Sequence, residues 1–234
     1  MMNDKTVYAC DISDSGTLRI WGSGARGFLR AMCSAPLDAC VSLMDVCQGL
    51  LLSGQGEVID VVQIICTGDD EFLMLTSGSN TEEVFEWLEA HAELKDGDDL
   101  VFGQVAVSDE SSKMAIMVLY GPGCPEVLKQ LGDACMGQPL FMSCNFDKPA
   151  YGIPLAPGAL LFVPMNLASQ FGDLLNENLD LEVVDYEHYV AQLLAQGLYC
   201  KGLADAQYHQ PAELGLEWLM RDENDFVGAR ALSK

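Results

Sequence analysis

Positive charge is scarce in this sequence. Its 234 residues include 12 lysines and arginines against 35 acidic residues, which gives a formal net charge of −23. A protein that binds nucleic acid needs a basic surface to displace counterions from the phosphates, so a nucleic-acid partner is not expected. The same charge disfavours an anionic membrane surface. We therefore expect neither nucleic acid nor membrane among the partners.

Long apolar segments are missing as well. No uncharged apolar run approaches the roughly 20 residues that cross a bilayer. The first residues, MMNDK, lack the basic start and the apolar segment of a signal peptide. Hydrophobic residues make up 50% of the chain, so a sizeable core is available. We expect a soluble, cytoplasmic, acidic protein.

The sequence also lacks cysteine and histidine spacings that hold metals. The nine cysteines contain no C-x-x-C pair, and the three histidines lie far apart. We expect reduced, buried thiols and no metal site. Cys33, Cys40 and Cys47 repeat every seven residues and would share one face of a helix. Pro36 argues against a continuous helix through them.

An internal repeat organises what is present. Residues 20–32 predict the end of a strand, a glycine turn and the start of a helix. Gly22 and Gly24 recur as Gly121 and Gly123, at a constant offset of 99. Each half predicts the order strand, glycine turn, helix, strand, strand, helix. That is the split β-α-β order of ferredoxin-like units, in duplicate.

These patterns predict an α+β fold with two ferredoxin-like halves. The first lobe is expected to span residues 1–105 and the second residues 106–234. The second lobe is expected to close with a helix at 186–196, a strand at 214–220 and a short final helix. In the first lobe, the spacing of apolar residues predicts a helix over 37–52.

The glycine turn has a second interpretation. Gly22, Gly24 and Gly27 spell G-x-G-x-x-G, the dinucleotide fingerprint. That site needs a parallel β-α-β unit with an acid that ends the second strand, but Asp60 lies early in its strand. The repeat also carries Glu126 in place of the third glycine. Close packing of strand and helix explains the turn better, and a dinucleotide enzyme is the weaker alternative.

Three of the few cations, Arg19, Arg26 and Arg30, lie on or beside this turn. They either form a solvated helix face that balances nearby acids or provide a docking point for an anionic ligand or partner.

Three stretches point to a known family: LLSGQGEVID at 51–60, YGPGCPEVL at 120–128 and PAELGLEWLMRDENDFVGARAL at 211–232. Together they resemble the aminomethyltransferase family, the T-protein of the glycine cleavage system and its folate-binding relatives. The resemblance implies the folate-binding fold, tetrahydrofolate as cofactor and a one-carbon transfer. It also implies that the family's third domain, a C-terminal barrel, is absent, because the chain ends where that domain would begin.

The resemblance also shows where this sequence departs from the family. Asp60 matches the first acid of the family's paired-aspartate motif, but Val61 stands at the second, which the family uses for catalysis. Leu160 replaces the glutamate that binds the pteridine. Two arginine positions carry Tyr189 and Leu193. An aliphatic side chain cannot pair with a pterin N–H, so ordinary T-protein catalysis is not expected.

The matched positions give Asp60 as the candidate catalytic residue and Gln63, Ser77 and Tyr189 as candidate ligand-binding residues. Asp60 would otherwise be a turn-proximal or solvent-facing acid, and Tyr189 a plain residue of a helix core. One function is a tetrahydrofolate-binding transferase or demethylase component, completed by a partner chain that supplies the missing domain. The other is a non-catalytic regulatory or assembly module that retains the fold.

Overall fold

A computed structural model describes residues 6–134, 142–146, 158–178, 181–195, 209–223 and 225–232. They form two compact units. Unit I holds the described residues of 1–14 and 111–199, and unit II those of 15–110 and 200–234. The sequence predicted one boundary, between residues 105 and 106. The structure instead builds each unit from two separate parts of the chain.

The described residues form twelve strands and six α-helices. The strands are β1 (Tyr8–Asp11), β2 (Thr17–Trp21), β3 (Val46–Leu52), β4 (Val58–Gly68), β5 (Glu71–Leu75), β6 (Lys95–Asp96), β7 (Asp99–Leu100), β8 (Ala106–Asp109), β9 (Met114–Tyr120), β10 (Met142–Phe146), β11 (Gly158–Pro164) and β12 (Glu182–Val184). The helices are α1 (Ala25–Met32), α2 (Thr81–Ala92), α3 (Cys124–Ala134), α4 (Ala168–Asn178), α5 (Tyr186–Ala195) and α6 (Ala229–Leu232).

Unit II has a five-stranded sheet in the order β3-β4-β5-β2-β8. Its strand pairs are all antiparallel. With α1 and α2, the strands β2, β4, β5 and β8 reproduce the expected ferredoxin-like unit, and β3 extends its edge. The small hairpin of β6 and β7 follows α2.

Unit I repeats this plan with a sheet in the order β10-β11-β9-β1-β12. Here β1 pairs antiparallel with β9 and occupies the position that β8 has in unit II. The extra strand β12 adds to β1 in parallel. The α+β fold with duplicated ferredoxin-like halves is therefore confirmed.

Each sheet buries one face under its helices. In unit II, Phe28 and Leu29 of α1 and Val84 of α2 are buried with Val62 and Ile64 of β4. The opposite face at β3 and β4 packs against the C-terminal segment 209–232 through a separate apolar cluster. The alternation along β4 thus divides its side chains between two cores.

Two expected elements are wrong. The helix over 37–52 is a 3-10 turn at Leu37–Ala39 followed by strand β3. Tertiary pairing decides this, because β3 pairs along its length with the β-branched strand β4. The strand at 214–220 is instead two 3-10 helices, Pro211–Leu214 and Glu217–Leu219, and Gly215 between them has a φ of +67°. That left-handed conformation interrupts an extended strand.

None of the described helices has the length and apolar character that a membrane span requires.

Candidate functional site

The two glycine turns have the same geometry. Gly22 has a φ of +120°, and a Cβ on it would lie 2.3 Å from the Gln104 carbonyl oxygen. Gly121 has a φ of +123°, and a Cβ would lie 2.4 Å from the Thr6 carbonyl oxygen. In each unit the turn therefore touches the backbone just before the neighbouring strand, β8 in unit II and β1 in unit I. Glycine is needed here for close backbone approach.

The third glycine of the fingerprint has no such role. Nothing lies within 4 Å of a Cβ built on Gly27. The pairs that β2 makes, with β5 and β8, are both antiparallel. A dinucleotide site needs a third glycine in close helix–strand contact and a parallel β-α-β unit. The geometry favours the scaffold interpretation of this turn.

Arg26 is occupied by contacts within unit II. Its Nη1 donates hydrogen bonds to the carbonyl oxygens of Leu37 (3.0 Å) and Cys40 (2.9 Å). Its guanidinium lies 4.9 Å from the centre of the Phe72 ring. These contacts hold the loop after α1 in place. They indicate a structural role for Arg26.

The other two arginines near the turn are paired with acids. Arg30 forms ion pairs with Asp38 and Asp225. Arg19 donates two hydrogen bonds to the Glu71 carboxylate, at 3.1 and 2.9 Å. The structure thus favours charge balance within the fold over a docking point for an anion.

Asp60 lies in β4 with its side chain fully buried. One carboxylate oxygen accepts the Val61 N–H at 2.8 Å, and the other accepts the Ser77 N–H at 2.9 Å. Burial raises the pKa of Asp60 to about 6, although these hydrogen bonds act in the opposite direction. The solvent-facing interpretation of Asp60 is therefore wrong. A buried carboxyl that titrates in this range can serve as an acid, a base or a charge partner.

Gln63 belongs to the other face of β4. It is three positions after Asp60, an odd number, so the two side chains point to opposite faces of the sheet. Its Oε1 is buried and has no hydrogen-bond partner among the described residues. The structure thus joins Asp60 to Ser77 and separates both from the Gln63 side chain.

Tyr189 belongs to an aromatic cluster in unit I. It is 6% exposed on α5, and its ring centre lies 5.7 Å from that of Tyr120 and 6.2 Å from that of Tyr186. Tyr8 stacks on Tyr120 at 5.2 Å. This placement fits the helix-core interpretation of Tyr189.

Sequence reasoning missed Tyr8 and Tyr120. These residues are register partners in β1 and β9, and the Tyr120 hydroxyl is buried without a hydrogen-bond partner in the described part of the chain. Burial raises the pKa of Tyr120 well above its ordinary value. One signal was available, because Tyr120 precedes Gly121 as Trp21 precedes Gly22.

The positions where the family resemblance implies ligand-binding charges are apolar and buried in unit I. Leu160 of β11 is 1% exposed, and Leu193 of α5 is 5% exposed. Leu160 pairs with Val118 of β9, on the sheet face opposite the α3 and α4 core. Neither side chain supplies a hydrogen bond or a charge to a ligand.

Comparison with known proteins adds the family. The family model described as GCVT N-terminal domain matches residues 2–150, more than half of the chain. The aminomethyltransferase of Chloroherpeton thalassium is 27% identical over 134 residues, which cover 55% of this chain and 33% of the relative. That of Listeria innocua is 21% identical over 245 residues, which cover 96% of this chain and 62% of the relative.

The fold has a clear counterpart among solved structures. The glycine cleavage system aminomethyltransferase T from Bartonella henselae matches with a TM-score of 0.74 and 20% identity, over 98% of this chain and 63% of that one. The chain thus spans less than two thirds of the length of these relatives. On the family model and the matching fold, this chain belongs to the glycine cleavage T-protein (GCVT) family.

Proposed function

We propose that this chain binds a tetrahydrofolate-type ligand without catalysing the ordinary aminomethyl transfer. The observation that carries the proposal is the buried Asp60, which stands at an acidic position of the family's motif. Because its pKa is raised to about 6, the carboxyl is available in both protonation states near neutral pH. Such a group would stabilise a cationic or protonating amine of the ligand.

The described residues fit such a ligand in part. Gln63 offers a buried amide oxygen with no partner among them, but it lies on the face of β4 opposite Asp60 and would not contact a ligand held at Asp60. Val61 and Leu160 stand where the resemblance implies a catalytic acid and a pteridine-binding glutamate. An aliphatic side chain supplies neither a charge nor a hydrogen bond, so these positions do not support ordinary transfer. When bound, the ligand would carry the one-carbon unit.

A calorimetric titration tests the proposal. The full chain is titrated with tetrahydrofolate and with its methyl and methylene forms, each with and without candidate partner chains. We expect binding heat for the wild type and about tenfold weaker binding for Asp60→Asn, which is about 1.4 kcal/mol. Asp69→Asn, an exposed acid in the turn between β4 and β5, is the matched control and should bind as the wild type does.

Enzyme assays separate binding from transfer. We expect no transfer from an aminomethylated carrier by the wild type, whereas Val61→Asp restores the acid at the family's catalytic position. Wild-type transfer at the rate of an ordinary family member would contradict the non-catalytic part of the proposal. Absence of ligand binding by a folded wild type, with or without partners, would reject the proposal as a whole.

The second candidate is a regulatory or assembly module that retains the fold. The burial of Leu160 and Leu193 favours it, because both side chains fill space with apolar groups where the family resemblance implies charges. A protein partner is compatible with either candidate. A folded chain that binds no folate form but forms a defined heteromer would select this one.

A further inference from the structure

Two of the cysteines with seven-residue spacing come together in unit II. Cys40 follows the 3-10 turn Leu37–Ala39, and Cys47 is the second residue of β3. Cys47 is the register partner of Ile64, and the Cys40 Sγ lies 3.9 Å from the Ile64 carbonyl oxygen. The Cys40 Sγ also donates a hydrogen bond to the Asp45 carbonyl oxygen at 3.2 Å. A buried dithiol therefore lies at the start of β3.

The two thiols differ in their electrostatics. The neighbouring Cys47 side chain lowers the pKa of Cys40 although burial acts in the opposite direction, and the nearby Arg26 guanidinium lowers it as well. The neighbouring Cys40 side chain, with burial, raises the pKa of Cys47. Burial raises the pKa of Cys33 to about 11 and that of Cys124 to about 12. The thiolate is the reactive form, so Cys40 is the nucleophile of the pair.

The segment between the two cysteines is exposed and strained. Val41 is 65% exposed and Leu43 68% exposed. Met44 has a φ of +68°, a left-handed conformation that residues other than glycine rarely adopt. Asp45 holds the segment with its carboxylate, which accepts the N–H groups of Val41 and Ser42. Local opening of this short loop would expose Cys40 to a small oxidant.

We propose that Cys40 and Cys47 form a dithiol that hydrogen peroxide converts to a disulfide. The Cys40 thiolate attacks one peroxide oxygen, the O–O bond breaks, and the departing hydroxide takes up a proton to become water. The Cys47 sulfur then attacks the sulfenic acid on Cys40, the S–O bond breaks, and the Cys47 proton leaves with the hydroxide as a second water. Two thiols are oxidised and one peroxide is reduced. This site is independent of the proposed folate binding.

Peptide mapping of the native wild-type chain tests the pairing. The protein is treated with peroxide, free thiols are alkylated, and the chain is cut before each aspartate. Cys33, Cys40 and Cys47 then fall on separate peptides, 14–37, 38–44 and 45–59. We expect the last two peptides joined by a disulfide, and separated again after dithiothreitol. A comparable yield of any pair that includes Cys33 would overturn the assignment.

Variants identify the nucleophile. In Cys47→Ala, dimedone should trap a sulfenic acid on Cys40, formed at least about tenfold faster than on Cys124 of the same chain. In Cys40→Ala, no sulfenic acid should form on Cys47. Cys124→Ala is the control and should form the same disulfide as the wild type. If wild-type Cys40 stays unoxidised under peroxide that modifies exposed methionines, the proposal is wrong, whether or not the variants fold.

Discussion

Units I and II share one scaffold. Their backbone geometry is the same at the turns where there is no space for a side chain. The glycine turns have φ values of +120° and +123° and approach a carbonyl oxygen equally closely. Each unit also places an antiparallel strand beside that turn, β8 in unit II and β1 in unit I. The repeat is therefore strictest at positions where any side chain would collide with the backbone.

The units differ on the sheet face that lies away from their two main helices. In unit II, the C-terminal segment supplies leucines and Phe226 that pack on β3 and β4. In unit I, α5 supplies Tyr189 beside the stacked pair of Tyr8 and Tyr120. The scaffold thus tolerates a mainly aliphatic cover on one copy and an aromatic cover on the other. The side chains that cover a sheet face can vary between the units, whereas the close approach of backbone at the glycine turns does not.

The strongest test of this equivalence is alanine at the two turns. Gly22→Ala and Gly121→Ala each combine a strained φ with a backbone clash, and we expect each to cost about 4 kcal/mol of unfolding free energy. Urea denaturation followed by circular dichroism measures the loss. Gly27→Ala is the control and should be neutral or stabilising by up to about 1 kcal/mol, because its site is open. A large effect at only one turn would show that the two are not equivalent.

The next largest loss of stability is expected from a substitution that affects unit II alone. Arg221 is 7% exposed at its side chain and donates hydrogen bonds to the carbonyl oxygens of Cys33, Ala35 and Arg30 and to Asp225. Arg221→Ala leaves these acceptors unpaired and should cost about 3 kcal/mol.

Hydrogen exchange locates this effect. Amides of 209–223 and 225–232 should lose protection in Arg221→Ala, while those of β9 and β11 in unit I keep theirs. Arg230→Ala removes an exposed arginine from the same segment and should change stability by less than about 0.5 kcal/mol. Equal loss of protection in both units would contradict the expectation that Arg221→Ala destabilises unit II alone.

A pH series tests the buried carboxyl of unit II. The folded pKa of Asp60 is raised from 3.8 to about 6, so the folded state binds the proton more tightly than the unfolded state. Its contribution to stability is therefore full at low pH and is lost as pH rises through the folded pKa. Between about pH 4 and pH 6.5 the wild type should lose about 2 kcal/mol from this group alone.

The comparison with Asp60→Asn isolates this contribution from the other acids. The difference in unfolding free energy between wild type and variant should change by that amount across the pH window, as measured by urea denaturation at each pH. A constant difference would mean that Asp60 does not titrate in this range.

The smallest effect is expected in unit I. The Tyr120 hydroxyl is buried without a partner in the described part of the chain, so Tyr120→Phe removes an unsatisfied group and keeps the stacking on Tyr8. We expect a change of less than about 1 kcal/mol, in the stabilising direction, in thermal denaturation. Tyr120→Leu loses the ring contacts as well and should be the less stable variant. A destabilised Tyr120→Phe would indicate that the hydroxyl is satisfied in the folded chain.

Much of the fold was predictable because the repeat is visible in short-range sequence patterns. The paired glycines, the strand patterns around them and the capped helices act within a few residues of each other. The prediction for 37–52 was wrong because its apolar residues fit a helix equally well. Only pairing with β4 makes part of this segment a strand.

The candidate site was less predictable. Asp60 and Ser77 are 17 residues apart, and the sequence does not show that a carboxylate oxygen meets a backbone N–H. Asp60 and Gln63 are near in sequence but belong to opposite faces of β4. The resemblance named all of these residues, and strand geometry decided which of them meet.

The sequence by itself determined the family, the duplicated α+β plan and the positions where only glycine fits, because these depend on composition, spacing and local backbone demands. Tertiary structure decided that Asp60 is buried, that Arg26 and Arg30 serve the fold, and that Cys40 and Cys47 both lie beside Ile64. Burial and pairing arise when segments distant in the chain come together, and the pattern within one segment does not show which distant segment it meets.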